Sequence, residues 1–211
     1  MTARPVPTGQ NDPVSKGLRE RKKERTRAAI RRAAREIAAA HGWEAATIER
    51  IAAEAEVSPS TVVRYFPVRE DIVLTDDRDD RLEDLLRARP AGEDPLESLR
   101  AVLVEAVGTT LEADPEEIRL RARLMAGTPA VRARLTETTA ETGRRLARAL
   151  ADRTGRAPDD LEVRVFTAAV LGALREATLY WAERGSAEDL MALLHRTVDT
   201  LKAGPALPAR P

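Results

Sequence analysis

Nine cationic side chains crowd residues 19–35: Arg19, Arg21, Lys22, Lys23, Arg25, Arg27, Arg31, Arg32 and Arg35, opposed only by Glu20 and Glu24. Guanidinium and ammonium groups at this density can pair with phosphates, and such contacts weaken as salt rises. Arg25 and Arg27 stand at the centre of the run. Several of these cations fall in the first turns of an expected helix, where they oppose its dipole. A polyanion nearby would turn that penalty into affinity. An ordinary solvated charged face has the same composition. Further along, Ser58, Ser60, Thr61, Arg64 and Tyr65 share one short segment. Serine and threonine hydroxyls can bond to bases or phosphates, arginine reaches guanine or a phosphate, and tyrosine suits a phosphate contact. Thr47 and Arg69 flank the segment at expected helix starts, where backbone amides favour anions. The chemistry on offer is recognition of duplex DNA.

The elements that must position these groups are helices. Thr47 is expected to cap a helix over 47–55, with Ile48, Ile51 and Ala52 inward. A tight break at Glu56-Val57 follows. Ser58 caps the next helix, and Pro59 takes its first position, where no amide donor is missed. Phe66 precedes Pro67, is steered away from the helical region, and ends it. Val62 and Phe66 are expected inward, leaving Ser60, Thr61, Arg64 and Tyr65 outward. Two short helices at a steep angle form a helix-turn-helix. Thr47 and Ser58 also have a plain role as caps, compatible with the first. Before them lies a helix over 17–41, with Ile30, Ala34, Ile37 and Ala38 as its buried stripe and Gly42 as its stop. Beyond them, prolines and glycines divide the chain into helices over 69–87, 95–112, 115–126, 129–153, 159–184 and 186–202. No strand-like alternation occurs, so the fold class is all-α, with about nine helices. The expected organisation is a disordered tail over 1–16, a helix-turn-helix domain over 17–68, a larger helical domain over 69–202, and a frayed tail over 203–211.

Charge supports that division. The 211-residue chain is neutral overall, but residues 1–66 carry 13 Lys and Arg against 8 Asp and Glu, and the remainder 22 against 27. A basic small domain beside an acidic larger one suggests that only the first meets a polyanion. No apolar run is long enough to span a membrane, and the N-terminus lacks the apolar stretch of a signal peptide; the protein is expected in the cytoplasm. The absence of cysteine excludes disulfides and thiolate metal sites. His41 and His195 fall in different expected domains, and no phosphate loop or nucleophile elbow is present. The acidic run Asp76, Asp77, Asp79 and Asp80 lacks the glycine and closing glutamate of a calcium loop. The sequence therefore points away from an enzyme and implies no metal or cofactor.

The 159–184 helix carries Val163, Phe166, Val170, Leu174, Ala177 and Trp181 at helical spacing, and a second apolar stripe, Leu161, Val165, Ala168 and Leu171, beside it. One face would pack inward and the other against a further surface, or both would fill one core. The last helix adds Leu190, Leu194, Val198 and Leu201.

From Thr47 to Ile72, Thr-Ile-Glu-Arg-Ile-Ala-Ala-Glu-Ala-Glu-Val-Ser-Pro-Ser-Thr-Val-Val-Arg-Tyr-Phe-Pro-Val-Arg-Glu-Asp-Ile resembles the N-terminal domain of TetR-family transcriptional regulators. The resemblance is specific over about 20–74; beyond, only helix number and length fit. It implies that the 59–66 helix enters the major groove, and that positions Thr47, Tyr65 and Arg69 contact phosphate. Glu56 stands where the family usually has glycine, and Val63 where it often has a phosphate-contacting tyrosine. The resemblance further implies a homodimer through the last two helices, with Val163, Leu174, Ala177, Trp181, Leu190, Leu194 and Val198 at the interface. It implies an effector pocket in the larger domain, for which Leu103, Val107, Leu124, Met125, Leu135, Thr138, Thr142, Phe166 and Val170 are the candidate lining. Their bias suggests an apolar or amphipathic small molecule. The Pro-x-Thr-x-x-Arg-Tyr-Phe-Pro pattern resembles an actinobacterial branch that includes mycofactocin-type regulators, which makes an acyl-CoA a reasonable ligand; Arg119, Arg121 and Arg123 could then meet its phosphates, although they are expected to be ordinary surface charges. The alternatives are a helical protein-interaction module and a sequence-blind DNA-binding protein with no effector.

Overall fold

In the long first helix, α1 (Pro13–His41), Ile30, Ala33, Ala34, Ile37 and Ala38 fall on one face and are all buried. In this computed structural model, residues 13–75 and 81–204 are described, with the backbone alone for 13–16 and 18–20. Helix α1 starts at Pro13, four residues before the expected start. The expected tails lie partly outside the described residues, as does the acidic run at 76–80. Gly42 leaves α1 with φ 82 and opens a single 3-10 turn over Trp43–Ala45.

Helix α2 (Ile48–Glu54) starts as expected: the Thr47 hydroxyl accepts from the Arg50 amide at 3.2 Å. Helix α3 (Pro59–Tyr65) starts in the same way, with Ser58 Oγ accepting from the Thr61 amide at 3.2 Å. Between them Glu56 has φ 54, the left-handed conformation that disfavours a side chain. Phe66 leaves the helical region, at φ -136 and ψ 86, and ends α3.

The helix expected over 69–87 is not continuous. Helix α4 (Asp71–Leu74) stops where Thr75 becomes extended, and α5 (Leu82–Arg87) follows the undescribed segment. The Thr75 hydroxyl donates to the Asp71 carbonyl at 2.7 Å and accepts from Arg31 Nη2 at 3.5 Å. This is the local competition by which a threonine weakens a helix.

Four longer helices precede the last: α6 (Pro95–Ala113), α7 (Pro115–Gly127), α8 (Pro129–Thr154) and α9 (Leu161–Glu183); α10 (Leu190–Ala203) closes the fold. Proline opens α6, α7 and α8, and Asp94, Asp114 and Asp189 cap α6, α7 and α10 through side-chain oxygens. Gly155 ends α8 with φ 68. No strand is present among the described residues.

Helix α9 packs against α7, α8 and α10, and α1 packs against α2 and α4. One apolar cluster joins α1 to α4 and continues into Leu124, Met125, Val131 and Leu135 of α7 and α8. Apolar packing thus runs across the expected boundary at 68/69. Burying a side chain such as Ile30, Ile51 or Phe66 in this cluster stabilises by about 1.5–3 kcal/mol. Two further clusters fill the larger part of the chain.

Candidate DNA-reading face and cavity

Helix α3 buries Val62 completely, while Phe66 follows it inward at 2% exposure. That orientation exposes Ser60, Val63 and Arg64, with Thr61 and Tyr65 half-buried at the edges. Ser58 Oγ lies 2.9 Å from both Ser60 Oγ and Thr61 Oγ1, so three hydroxyls form one cluster at the helix start. Arg64 lies over the Tyr65 ring at 5.4 Å from its centroid. The expected readers Ser58, Ser60, Thr61, Arg64 and Tyr65 are thus together on one short helix. Val63, exposed at 48%, offers no polar group.

Thr47 is exposed at the start of α2. Arg69, expected at a helix start, lies two residues before α4. Its guanidinium sits 4.8 Å from the centroid of the Trp43 ring, 3.2 Å from Glu70 and 3.8 Å from Glu44. Any phosphate contact from Arg69 would compete with those two carboxylates.

The basic run divides by helical spacing. Arg21, Lys22, Lys23, Arg25 and Arg32 are exposed. Arg27 and Arg31, one turn apart, lie over the Phe66 ring at 5.4 and 5.3 Å. Arg35 pairs with Glu117 of α7 at 2.8 Å. Arg27, expected among the DNA contacts with Arg25, is instead half-buried against Phe66. The face of α1 that carries Ile30 and Ala34 carries it inward as well.

A cavity of about 450 Å³ opens behind α3. Leu103, Val104 and Val107 of α6 line it, as do Leu135, Thr138, Thr139 and Thr142 of α8. Leu171, Leu174, Arg175 and Thr178 of α9 form a further wall. Arg27, Tyr65, Phe66 and Pro67 close it on the side of the helix-turn-helix, so the end of the reading helix is itself part of the cavity wall. Asp71, also on the wall, is held by Arg134 through two hydrogen bonds of 2.7 and 2.9 Å. That carboxylate keeps the Arg134 guanidinium protonated well beyond its ordinary range.

Of the expected lining, Leu103, Val107, Leu135, Thr138 and Thr142 are on this wall. Leu124 and Met125 instead pack under the helix-turn-helix, and Phe166 and Val170 pack in the cluster with Leu146 and Leu150. Arg119, Arg121 and Arg123 lie on α7 away from the cavity; Arg119 pairs with Glu116 at 2.5 Å and Arg121 with Glu117 at 3.7 Å. Arg27, Phe66 and Arg175 are not among the residues expected on the cavity wall. For Arg175 the sequence carries little signal, since the adjacent Glu176 makes the pair look like an ordinary charged step between Leu174 and Ala177.

The interface residues expected on α9 and α10 turn inward. Val163, Ala177, Trp181, Leu190, Leu194 and Val198 are each at most 8% exposed within the single chain. Leu174 lines the cavity. Trp181 is fixed by donating its indole N–H to the Glu188 carbonyl at 2.7 Å, which closes the α9–α10 turn. Apart from Leu174, these residues belong to the chain's own core. Of the second stripe, Leu161 is 70% and Val165 56% exposed and Ala168 is exposed, whereas Leu171 turns to the cavity; Ala169 is exposed too, and Tyr180 lies beyond. A side chain at Gly172, on the same strip, would meet nothing within 4 Å.

No helix of the described residues is long and apolar enough to cross a membrane. Residues 30–75 match the family model described as bacterial regulatory proteins, tetR family, and residues 93–206 match the MftR C-terminal domain. The HTH-type transcriptional regulator TcmR of Streptomyces glaucescens is 31% identical over 207 residues, covering 93% of this chain and 92% of that protein. Two solved structures share the fold. The Thermus thermophilus repressor FadR in complex with lauroyl-CoA has a TM-score of 0.56 at 23% identity, over 88% of this chain and 97% of that one. Bacillus subtilis FadR in complex with stearoyl-CoA has a TM-score of 0.58 at 22% identity, over 85% of this chain and 99% of that one. A capped helix-turn-helix, a C-terminal helical domain and this near full-length relative lead to one conclusion: the chain belongs to the TetR family of transcriptional regulators.

Proposed function

We propose that the protein is a repressor that binds a palindromic operator as a homodimer and leaves it when a small apolar or amphipathic effector enters the cavity. The observation that carries this reading is the shared wall: Tyr65, Phe66 and Pro67 at the end of α3 line the same cavity as α6, α8 and α9. A ligand there would touch the reading helix directly, so ligand and DNA would oppose each other through one coupling energy. Ser58, Ser60, Thr61 and Arg64 would contact the major groove, with Thr47, Tyr65 and the exposed Arg25 on phosphates. Two copies of α3 about 34 Å apart would read the two half-sites. The outward strip of α9, with Leu161, Val165, Ala168 and Gly172, is the surface we assign to the two-fold contact. Its small residues, Ala168 and Gly172, permit close approach, and the exposed Leu161 and Val165 would be covered there.

The acyl-CoA complexes of the two FadR neighbours make a long-chain acyl-CoA one effector to try. The deciding experiment is enrichment of genomic fragments by the purified protein, followed by sequencing and by release with added ligands. Enrichment of one palindromic site supports the reading. Sequence-blind retention of DNA would overturn it.

A further inference from the structure

Arginine cannot lose its proton at any ordinary pH, and an unpaired cation inside a protein is costly. Arg175, half-buried, lines the cavity from the middle of α9, and its Nε is buried without a hydrogen-bond partner. It makes no hydrogen bond or ion pair with any described residue. The other charges of the wall are engaged. Arg134 holds Asp71 and lies 3.9 Å from Glu141, Arg145 meets Glu83 at 3.0 Å, and Arg27 stacks on Phe66. Most of the remaining wall is apolar, and its threonines largely satisfy themselves. Thr138, Thr139 and Thr178 donate to carbonyls of their own helices, whereas Thr142 has no hydrogen-bond partner among the described residues.

We propose that Arg175 is the anion receptor of this cavity and that the effector is an amphipathic molecule with an anionic head. The proposal rests on the effector reading above. The head pairs with the guanidinium, whose planar fork suits a carboxylate or a phosphate. The apolar body lies along Leu103, Val107, Leu171 and Leu174 and reaches Phe66. A volume of about 450 Å³ is in the usual range for a small-molecule site. It corresponds to about fifteen water molecules at ~30 Å³ each, enough for a head and a medium chain or fused rings.

The test is calorimetric titration of the full chain and its variants with decanoate, 1-decanol and decanoyl-CoA. For Arg175→Gln we expect decanoate affinity to fall at least about tenfold, the loss of a charge-assisted pair, with 1-decanol changed less than about twofold. Arg175→Lys keeps the charge and should retain most of the decanoate affinity. Dependence of decanoate binding on Arg175 identifies a free carboxylate head; dependence of decanoyl-CoA binding identifies a phosphate-bearing conjugate. If neither depends on Arg175, if acid and alcohol weaken together, or if none of the probes binds, the assignment is overturned. Removing an unpaired cation should leave the ligand-free melting temperature unchanged or raised. A fall of more than about 5 °C would make Arg175 a structural residue and overturn the assignment too. Operator binding is measured on the same preparation. A chain that holds its palindrome yet ignores ligand charge sinks the Arg175 assignment alone, whereas one that finds no palindrome sinks the regulator reading.

Discussion

Arg134 of α8 grips Asp71 of α4 with two near-parallel hydrogen bonds, Nε to Oδ1 at 2.7 Å and Nη2 to Oδ2 at 2.9 Å. The two side chains are only 18% and 14% exposed. This fork joins α4, the first helix after α3, to α8 beside the cavity. Arg134 also bonds to Glu137, so Asp71→Ala leaves the guanidinium one carboxylate short, whereas Arg134→Met leaves the Asp71 carboxylate without its fork. Asp71→Ala should therefore lower unfolding stability by about 2 kcal/mol, the scale of charge-assisted hydrogen bonds. Asp71→Ala with Arg134→Met should cost less than the two single changes summed. Denaturant titration of the four proteins measures this; strict additivity would mean that the pair carries no coupling.

Glu56 stands in the left-handed region at φ 54, between α2 and α3. A side chain there costs about 1–2 kcal/mol, part of which glycine recovers against its own larger unfolded-state entropy. Glu56→Gly should raise stability by about 0.5–1 kcal/mol without weakening DNA binding. Glu56→Ala, which keeps a β-carbon, should give no such gain. Equal effects of the two changes would remove backbone strain as the cause.

The Glu93 carboxylate accepts from Arg89 and, at 2.7 Å, from Ser98, and these contacts, with Arg89 the larger, pull its pKa from 4.5 to about 2. A depressed carboxylate stabilises the fold above its unfolded pKa and loses that stabilisation as pH falls through the folded value. The window is therefore about pH 4.5 down to 2. The stability advantage of the natural protein over Glu93→Gln should be full at pH 6 and shrink through that window. A constant advantage in parallel melting curves would show that the ion pair is irrelevant.

Much of the local structure was legible in the chain because it is set by neighbours in sequence. Thr47 and Ser58 cap as their hydroxyls demand, Pro67 ends α3, and the break at Glu56 follows from the turn. Non-local choices were not legible. Helix α9 has two apolar stripes, and spacing alone does not say which meets the core. Arg27 has the composition of a phosphate contact, but Phe66, far off in sequence, offers its ring instead. Leu124 and Met125 have the right type for a cavity wall, yet α7 places them beneath α1 and α3. Apolar wall and apolar core share one chemistry, so only the fold separates them.

The outward strip of α9 gives a direct test of assembly. Val165 is 56% exposed on one chain, and a two-fold contact would bring two copies near each other. Val165→Glu should convert a dimer to a monomer in light scattering at micromolar concentration, with the melting curve of the single chain little changed. Operator affinity should fall steeply, because one reading helix covers only a half-site. A dimer that survives Val165→Glu would exclude this strip as the contact.

Tyr65 belongs to two surfaces at once, and its hydroxyl and ring can be separated by mutation. The ring packs against the cluster under α1 and lines the cavity, while the residue sits at the end of the exposed face of α3. If the hydroxyl donates to a phosphate, Tyr65→Phe should weaken binding uniformly across DNA sequences by a fewfold to tenfold, a net hydrogen bond to a charged group being worth about 1–2 kcal/mol. Site preference and ligand affinity should both persist, since the ring remains. Tyr65→Ala should in addition alter ligand affinity, because the cavity loses part of its wall. Arg64→Ala should behave differently from both, relaxing preference at one base position by about 1–3 kcal/mol, as expected of a base contact. Binding of each variant to the enriched operator and to single-base variants of it resolves the three patterns. A Tyr65→Phe protein that lost site preference while keeping its affinity for random DNA would reverse the roles assigned to Tyr65 and Arg64.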